Sequence, residues 1–152
     1  MQSRLDIQRT APQAYRTMAA LESYVRNSGL EPGLLKLIKL RASQINGCAF
    51  CIDMHAREAR ADGETEQRLY ALNAWQETPF FTDRERAALA WTEAVTRVAD
   101  THVPDDVFDL VRQQFTEKEL ADLTLAIVTI NGWNRLAIAF RKVPGTYQPP
   151  KH

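Results

Sequence analysis

Apolar side chains recur every three to four positions through most of the chain. No stretch sustains the two-residue alternation of β-branched and aromatic residues that strands need. The pattern predicts an all-α fold, a single helical bundle of about six to eight helices. Proline and glycine mark its divisions. A first helix starts near Pro12 and stops at Gly29, and Pro32 starts a second that carries Leu34, Leu35, Leu37, Ile38 and Leu40. Asn46-Gly47 breaks that helix just ahead of Cys48, so the cysteines open a third, which runs to Gly63. A shorter helix follows from Glu64 to about Trp75, closed by Thr78-Pro79. Thr82 with Glu85 and Thr116 with Glu119 have the form of capping boxes, opening helices that reach about Ala99 and Val143. Pro104, Asp105 and Asp106 start a short helix between them, and the tail from Gly145 to His152 is expected to be loose.

From Leu123 to Phe140 the last helix is apolar nearly all round, so it either runs through the core or packs against another subunit. Asn131, Asn134 and Arg135 interrupt it before a membrane-spanning length of roughly 20 residues is reached. The N-terminus mixes Arg4, Asp6 and Arg9 with isolated apolar residues, unlike a secretory signal, and the expected compartment is cytoplasmic. The 152 residues are 45% hydrophobic and 25% charged, enough for one domain over residues 1–152 with an adequate core. Lys plus Arg and Asp plus Glu both number 19, so no global field favours nucleic acid or an anionic membrane, and neither is expected as a partner.

Composition leaves the chemistry to one segment, Cys48-Ala49-Phe50-Cys51-Ile52-Asp53-Met54-His55. On a helix, spacings of three and four place Cys48, Cys51 and His55 on one face. Two cysteines so close together cannot staple a fold, and in a reducing compartment the spacing reads as catalytic, redox or metal chemistry. An unperturbed thiol, with pKa near 8.5, is only about 3% ionised at pH 7. A helix N-terminus contributes about 0.3–1 kcal/mol to a nearby anion, less than the roughly 1.4 kcal/mol that one pKa unit requires. An imidazole one turn away closes that gap, which makes His55 the natural base for Cys51 and leaves Cys48 as the resolving thiol. Such a pair reduces a peroxide through a sulfenic acid and then a disulfide, which a dithiol reductant or reducing protein must reopen.

The same residues admit other chemistry. Zinc needs a fourth ligand from His102, His152 or a carboxylate, and covalent haem needs a histidine where Ile52 stands. Thioredoxin-like chemistry needs a βαβ context that the helical pattern lacks, and two cysteines can also be buried simply as small apolar residues. No metal or cofactor is expected. Trp75, Trp91 and Trp133 read as core residues, and the charged stretches Arg57–Glu66 and Arg84–Arg86 as solvated surface.

Lys39-Leu40-Arg41-Ala42-Ser43-Gln44-Ile45-Asn46-Gly47-Cys48, running into Cys51 and His55, closely resembles the alkylhydroperoxidase D-like, or carboxymuconolactone decarboxylase, family. The stretches from Arg86 to Glu93 and from Ile130 to Phe140 are similar to the same branch, so the likeness spans Leu5 to Val143. The resemblance implies an all-helical subunit, homo-oligomers of three or six, and a cysteine-dependent peroxidase in which Cys51 attacks. Family decarboxylases generally lack the paired cysteines, so Cys48 and Cys51 point to the peroxidase branch. Two positions depart from the well-studied peroxidases. Lys36 stands where their relay has a glutamate twelve residues before the first cysteine, and Phe50 where it has a histidine. A lysine cannot orient His55 as a carboxylate would. Glu93, on a largely apolar helix, is the candidate replacement, with Glu22 and Glu31 as alternatives. Alternative functions for the same site are general thiol–disulfide exchange and a redox-responsive assembly protein.

Overall fold

The computed structural model describes residues 1–149, and among these all regular structure is helical. In chain order the elements are α1 (Ile7–Thr10), α2 (Pro12–Arg26), α3 (Pro32–Asn46), α4 (Ala49–Ala61) and α5 (Glu66–Ala71). A 3₁₀ turn (Leu72–Glu77) follows, then α6 (Asp83–Thr96), α7 (Val98–Thr101), α8 (Asp105–Arg112) and α9 (Glu117–Ala139).

Helix α3 is the central rod. It packs on α4, α6 and α9, and from Leu34 to Ser43 only Lys36 is not fully buried. Its two sides feed two apolar clusters. Leu34, Leu35 and Ile38 meet Val25, Trp91, Val111, Leu123 and Ile127, whereas Leu37 and Leu40 meet Ala59, Leu72, Trp75 and Leu89. Both capping boxes form, at Thr82 and Thr116, each with its glutamate bonded back to the threonine amide.

The ends of the elements differ from the sequence pattern where packing or an unlikely residue sets them. The helix from Pro12 stops at Arg26, three residues before Gly29, which takes positive φ in the loop. The expected Glu64–Trp75 helix instead divides after Ala71 into α5 and the 3₁₀ turn, inside which Ala74 leaves helical φ/ψ. The last helix ends at Ala139 because Arg141 adopts left-handed backbone (φ 55°). Lys142 N–H then reaches Ala137 O at 2.8 Å, the closure that glycine usually makes. Helix α9 runs through the core with Leu123, Ala126, Ile127 and Ile130, yet Val128 and Ile138 on it are exposed. No helix among the described residues is long and apolar enough to cross a membrane.

One turn sets up everything downstream. Gly47 (φ 67°) ends α3 in a Schellman arrangement, with Gly47 N–H on Gln44 O at 3.2 Å and Cys48 N–H on Ser43 O at 3.0 Å. A buried polar network clamps this end of α3 onto α9. Asn46 Nδ2 donates to Asn131 Oδ1 and Asn134 Oδ1, and Asn134 Nδ2 donates to Ser43 Oγ. The first residue of the Cys-x-x-Cys segment therefore leaves a backbone held on both sides.

Candidate active site

Cys48 is the N-cap of α4, its sulfur accepting from Cys51 N–H at 3.4 Å. The two sulfurs are bonded to each other, with Cα atoms 5.3 Å apart, inside the range a disulfide spans. Both cysteines are buried, but only Cys51 belongs to the wall of a cavity of about 990 Å³ beside α4. His55, one turn along, lines the same cavity and is likewise buried. Trp133, Tyr15 and Leu136 supply apolar wall, with the Tyr15 and Trp133 rings edge to face at 5.5 Å. Trp133 thus borders the cavity in addition to packing.

The imidazole is held from one side only. His55 Nδ1 lies 3.0 Å from Glu58 Oε2, whereas Nε2 is buried and has no hydrogen-bond partner among the described residues. The other oxygen of Glu58 accepts from the Tyr147 hydroxyl at 2.5 Å. Burial pushes the Glu58 carboxyl up, but the hydrogen bonds from His55 and Tyr147 outweigh it and hold the group at about 2. Burial and the Glu58 anion together push the Tyr147 phenol up to about 12.

The structure does not bring Glu93 to His55. Glu93 Oε1 instead accepts from Arg41 Nε at 2.8 Å and Trp75 Nε1 at 2.9 Å, because α6 faces α3 and the 3₁₀ turn there. Of the alternatives, Glu22 pairs with Lys39 and Glu31 with Arg84. The acid on His55 comes from within the charged stretch assigned to solvated surface. Its signal was present, since a glutamate three residues after a helical histidine shares its face. Tyr147 carried no such signal. It belongs to the segment expected to be loose, whose described residues donate to two side chains of α4, from Tyr147 O–H to Glu58 and from Gly145 N–H to Asp53.

The two departures from the peroxidase relay also line the cavity. Lys36 pairs with Asp62, and Phe50 lies under the Lys142 ammonium, 4.1 Å from its ring centroid. Among the described residues no group of three or more His, Cys, Asp and Glu side chains is arranged to hold a metal ion. His102 ends α7 and is not part of the cavity wall, and His152 lies outside the described residues.

Fold and site together describe a helical subunit with a Cys-x-x-Cys pair and an anchored histidine on a cavity wall. The model of the carboxymuconolactone decarboxylase family matches residues 12–94, over half of the chain and the part that contains both cysteines. The uncharacterised protein YdfG of Bacillus subtilis is 44% identical over 139 residues, 91% of this chain and 95% of its own. A crystal structure from Agrobacterium tumefaciens superposes with a TM-score of 0.93 at 46% identity, covering 96% of this chain and 100% of the other. That protein is of unknown function and has been put forward as an antioxidant defence protein AhpD. The alkylhydroperoxidase AhpD core of an uncharacterised peroxidase-related protein from Ralstonia eutropha shares the fold, with a TM-score of 0.80 at 20% identity over 91% of this chain and 74% of that one. The chain belongs to the carboxymuconolactone decarboxylase family and has the all-helical fold of its alkylhydroperoxidase D-like members.

Proposed function

We propose that the protein is a cysteine-dependent peroxidase that reduces alkyl or hydrogen peroxides and is recharged by a dithiol. The observation that carries this reading is the position of Cys51 on the cavity wall, with Cys48 bonded behind it and His55 beside it. Substrate entering the cavity meets Cys51 first, so Cys51 is the attacking thiol and Cys48 the resolver.

In the reduced protein, His55 Nε2 takes the Cys51 proton, and the thiolate attacks the terminal peroxide oxygen. The O–O bond breaks as the S–O bond forms. His55 returns its proton to the departing alkoxide, giving an alcohol and a Cys51 sulfenic acid. The Cys48 sulfur then displaces water from Cys51 and forms the disulfide, and an external dithiol reopens it while becoming a disulfide itself. The AhpD assignment put forward for the Agrobacterium relative supports this cycle. Homo-oligomer formation belongs to the same reading, with exposed Val128 and Ile138 on α9 as an apolar face for it.

Replacing Cys51 with serine removes the sulfur that reacts, and peroxide consumption in the presence of a dithiol should fall at least a thousandfold, to background. Undiminished turnover would sink the assignment. A second reading, thiol–disulfide exchange without efficient peroxide turnover, is favoured by Phe50, which puts an apolar ring where the peroxidase relay has a histidine. Faster reduction of a model disulfide than of cumene hydroperoxide would select it.

A further inference from the structure

We propose that Glu58 and Tyr147 are positioning residues for His55, and that the C-terminal segment thereby sets the reactivity of Cys51. The proposal rests on the proposed function only in taking Cys51 and His55 as the reacting pair.

The ring nitrogens of His55 are in unlike surroundings. A carboxylate accepts at Nδ1, so that nitrogen carries a hydrogen and Nε2 presents its lone pair. A buried polar atom with no partner costs about 1–3 kcal/mol and calls for an explanation. The redox state supplies one. In the disulfide neither sulfur has a hydrogen to donate, whereas reduction creates a thiol on Cys51, one helical turn away on the same wall. Nε2 is thus the atom left without a donor in the oxidised protein and given one in the reduced protein.

When that proton moves, His55 becomes a cation, and the Glu58 anion compensates its charge. Glu58 is held by the tail as well as by its own helix. Gly145 N–H on Asp53 and Tyr147 O–H on Glu58 lay the tail along α4 at two points. Without the Tyr147 hydroxyl, one carboxylate oxygen loses its donor and the side chain is free to rotate away from Nδ1.

Other charges near Glu58 have their own partners. From α3, Lys36 pairs with Asp62 and Lys39 with Glu22 of α2. Arg26 of α2 also lies 4.0 Å from Glu22. Lys36 and Lys39 both favour the Glu58 anion through space, but neither hydrogen-bonds to it. Glu58 therefore occupies the role for which Lys36 is unsuited, supplied from α4 itself and not from α3.

The test measures alkylation of Cys51 by iodoacetamide against pH, in reduced protein carrying Cys48→Ser so that one thiol reacts. Glu58→Gln should raise the midpoint by about one unit and slow the reaction about tenfold at pH 7. Tyr147→Phe should slow it about threefold and should add nothing in the Glu58→Gln background. Ending the chain after Pro144 should reproduce the Tyr147→Phe shift, which keeps the test open if Glu58→Gln fails to fold. A profile unmoved by Glu58→Gln, or a Tyr147→Phe effect undiminished when Glu58 is already replaced, overturns the proposal. A variant that alters only thermal stability also counts against it. No peroxide enters the assay, so loss of the peroxidase reading would leave this result standing.

Discussion

Glu58 and Glu93 are a natural pair for comparison, for each is a largely buried carboxylate that accepts from an aromatic side chain and from a basic one. Glu93 has Trp75 and Arg41, an indole and a guanidinium that serve only as hydrogen-bond donors. Glu58 has Tyr147 and His55, and His55 faces a cavity beside the Cys48–Cys51 disulfide. The first arrangement ties α3, α6 and the 3₁₀ turn together. In the second, one partner can take and give up a proton. What separates a structural carboxylate from one poised for chemistry is thus the nature of its partners, since burial alone does not distinguish them.

The largest effect should come from the structural member. Glu93→Ala leaves the Arg41 guanidinium, only 10% exposed, without its counter-charge and should cost about 3–5 kcal/mol. Calorimetry should show a melting temperature lower by about 10 °C or more. The pH profile of Cys51 alkylation in the folded variant should stay in place, and a shifted profile would dissolve the contrast between the two sites.

Acid unfolding gives an intermediate effect. The Glu58 carboxyl is depressed from 4.5 to about 2, so its stabilisation is complete above about 4.5 and is lost as pH falls toward 2. After allowance for partial exposure this is on the order of 2 kcal/mol, measured as urea-unfolding stability against pH. Glu58→Gln should flatten that limb, and an unchanged limb would show that Glu58 is not anchored as described.

Tyr147→Phe should have the smallest effect on stability, about 0.5–1.5 kcal/mol for one hydrogen bond near neutral pH. The phenol is raised from 10 to about 12, so its share is present below pH 10 and lost as pH rises toward 12. The variant should lack that alkaline loss. Equal alkaline loss in both proteins would mean that other groups cause it.

Much of this architecture can be read from local pattern. Pro32 and Asn46-Gly47 bound the central helix, and both threonine capping boxes open helices. Harder to read were the ends made without a glycine signal, such as left-handed Arg141 after α9. At the site, Cys48, Cys51 and His55 were legible because a helix places them together whatever surrounds it. Glu58 obeyed the same rule but was hidden in a charged stretch, since sequence periodicity does not reveal which charged side chains a distant segment will cover.

The sequence by itself determined an all-helical chain, the placement of a Cys-x-x-Cys pair at a helix start, and a histidine in register with it. Those follow from interactions within a few residues: caps, turns and the repeat of the helix. Tertiary structure decided which carboxylate meets His55, that Cys51 and not Cys48 faces the cavity, and that Glu93 belongs to Arg41 and Trp75. These depend on contacts between distant parts of the chain, such as Tyr147 with Glu58, 89 residues apart. A buried polar group takes whichever partner packing delivers, and that partner need not be a neighbour in sequence.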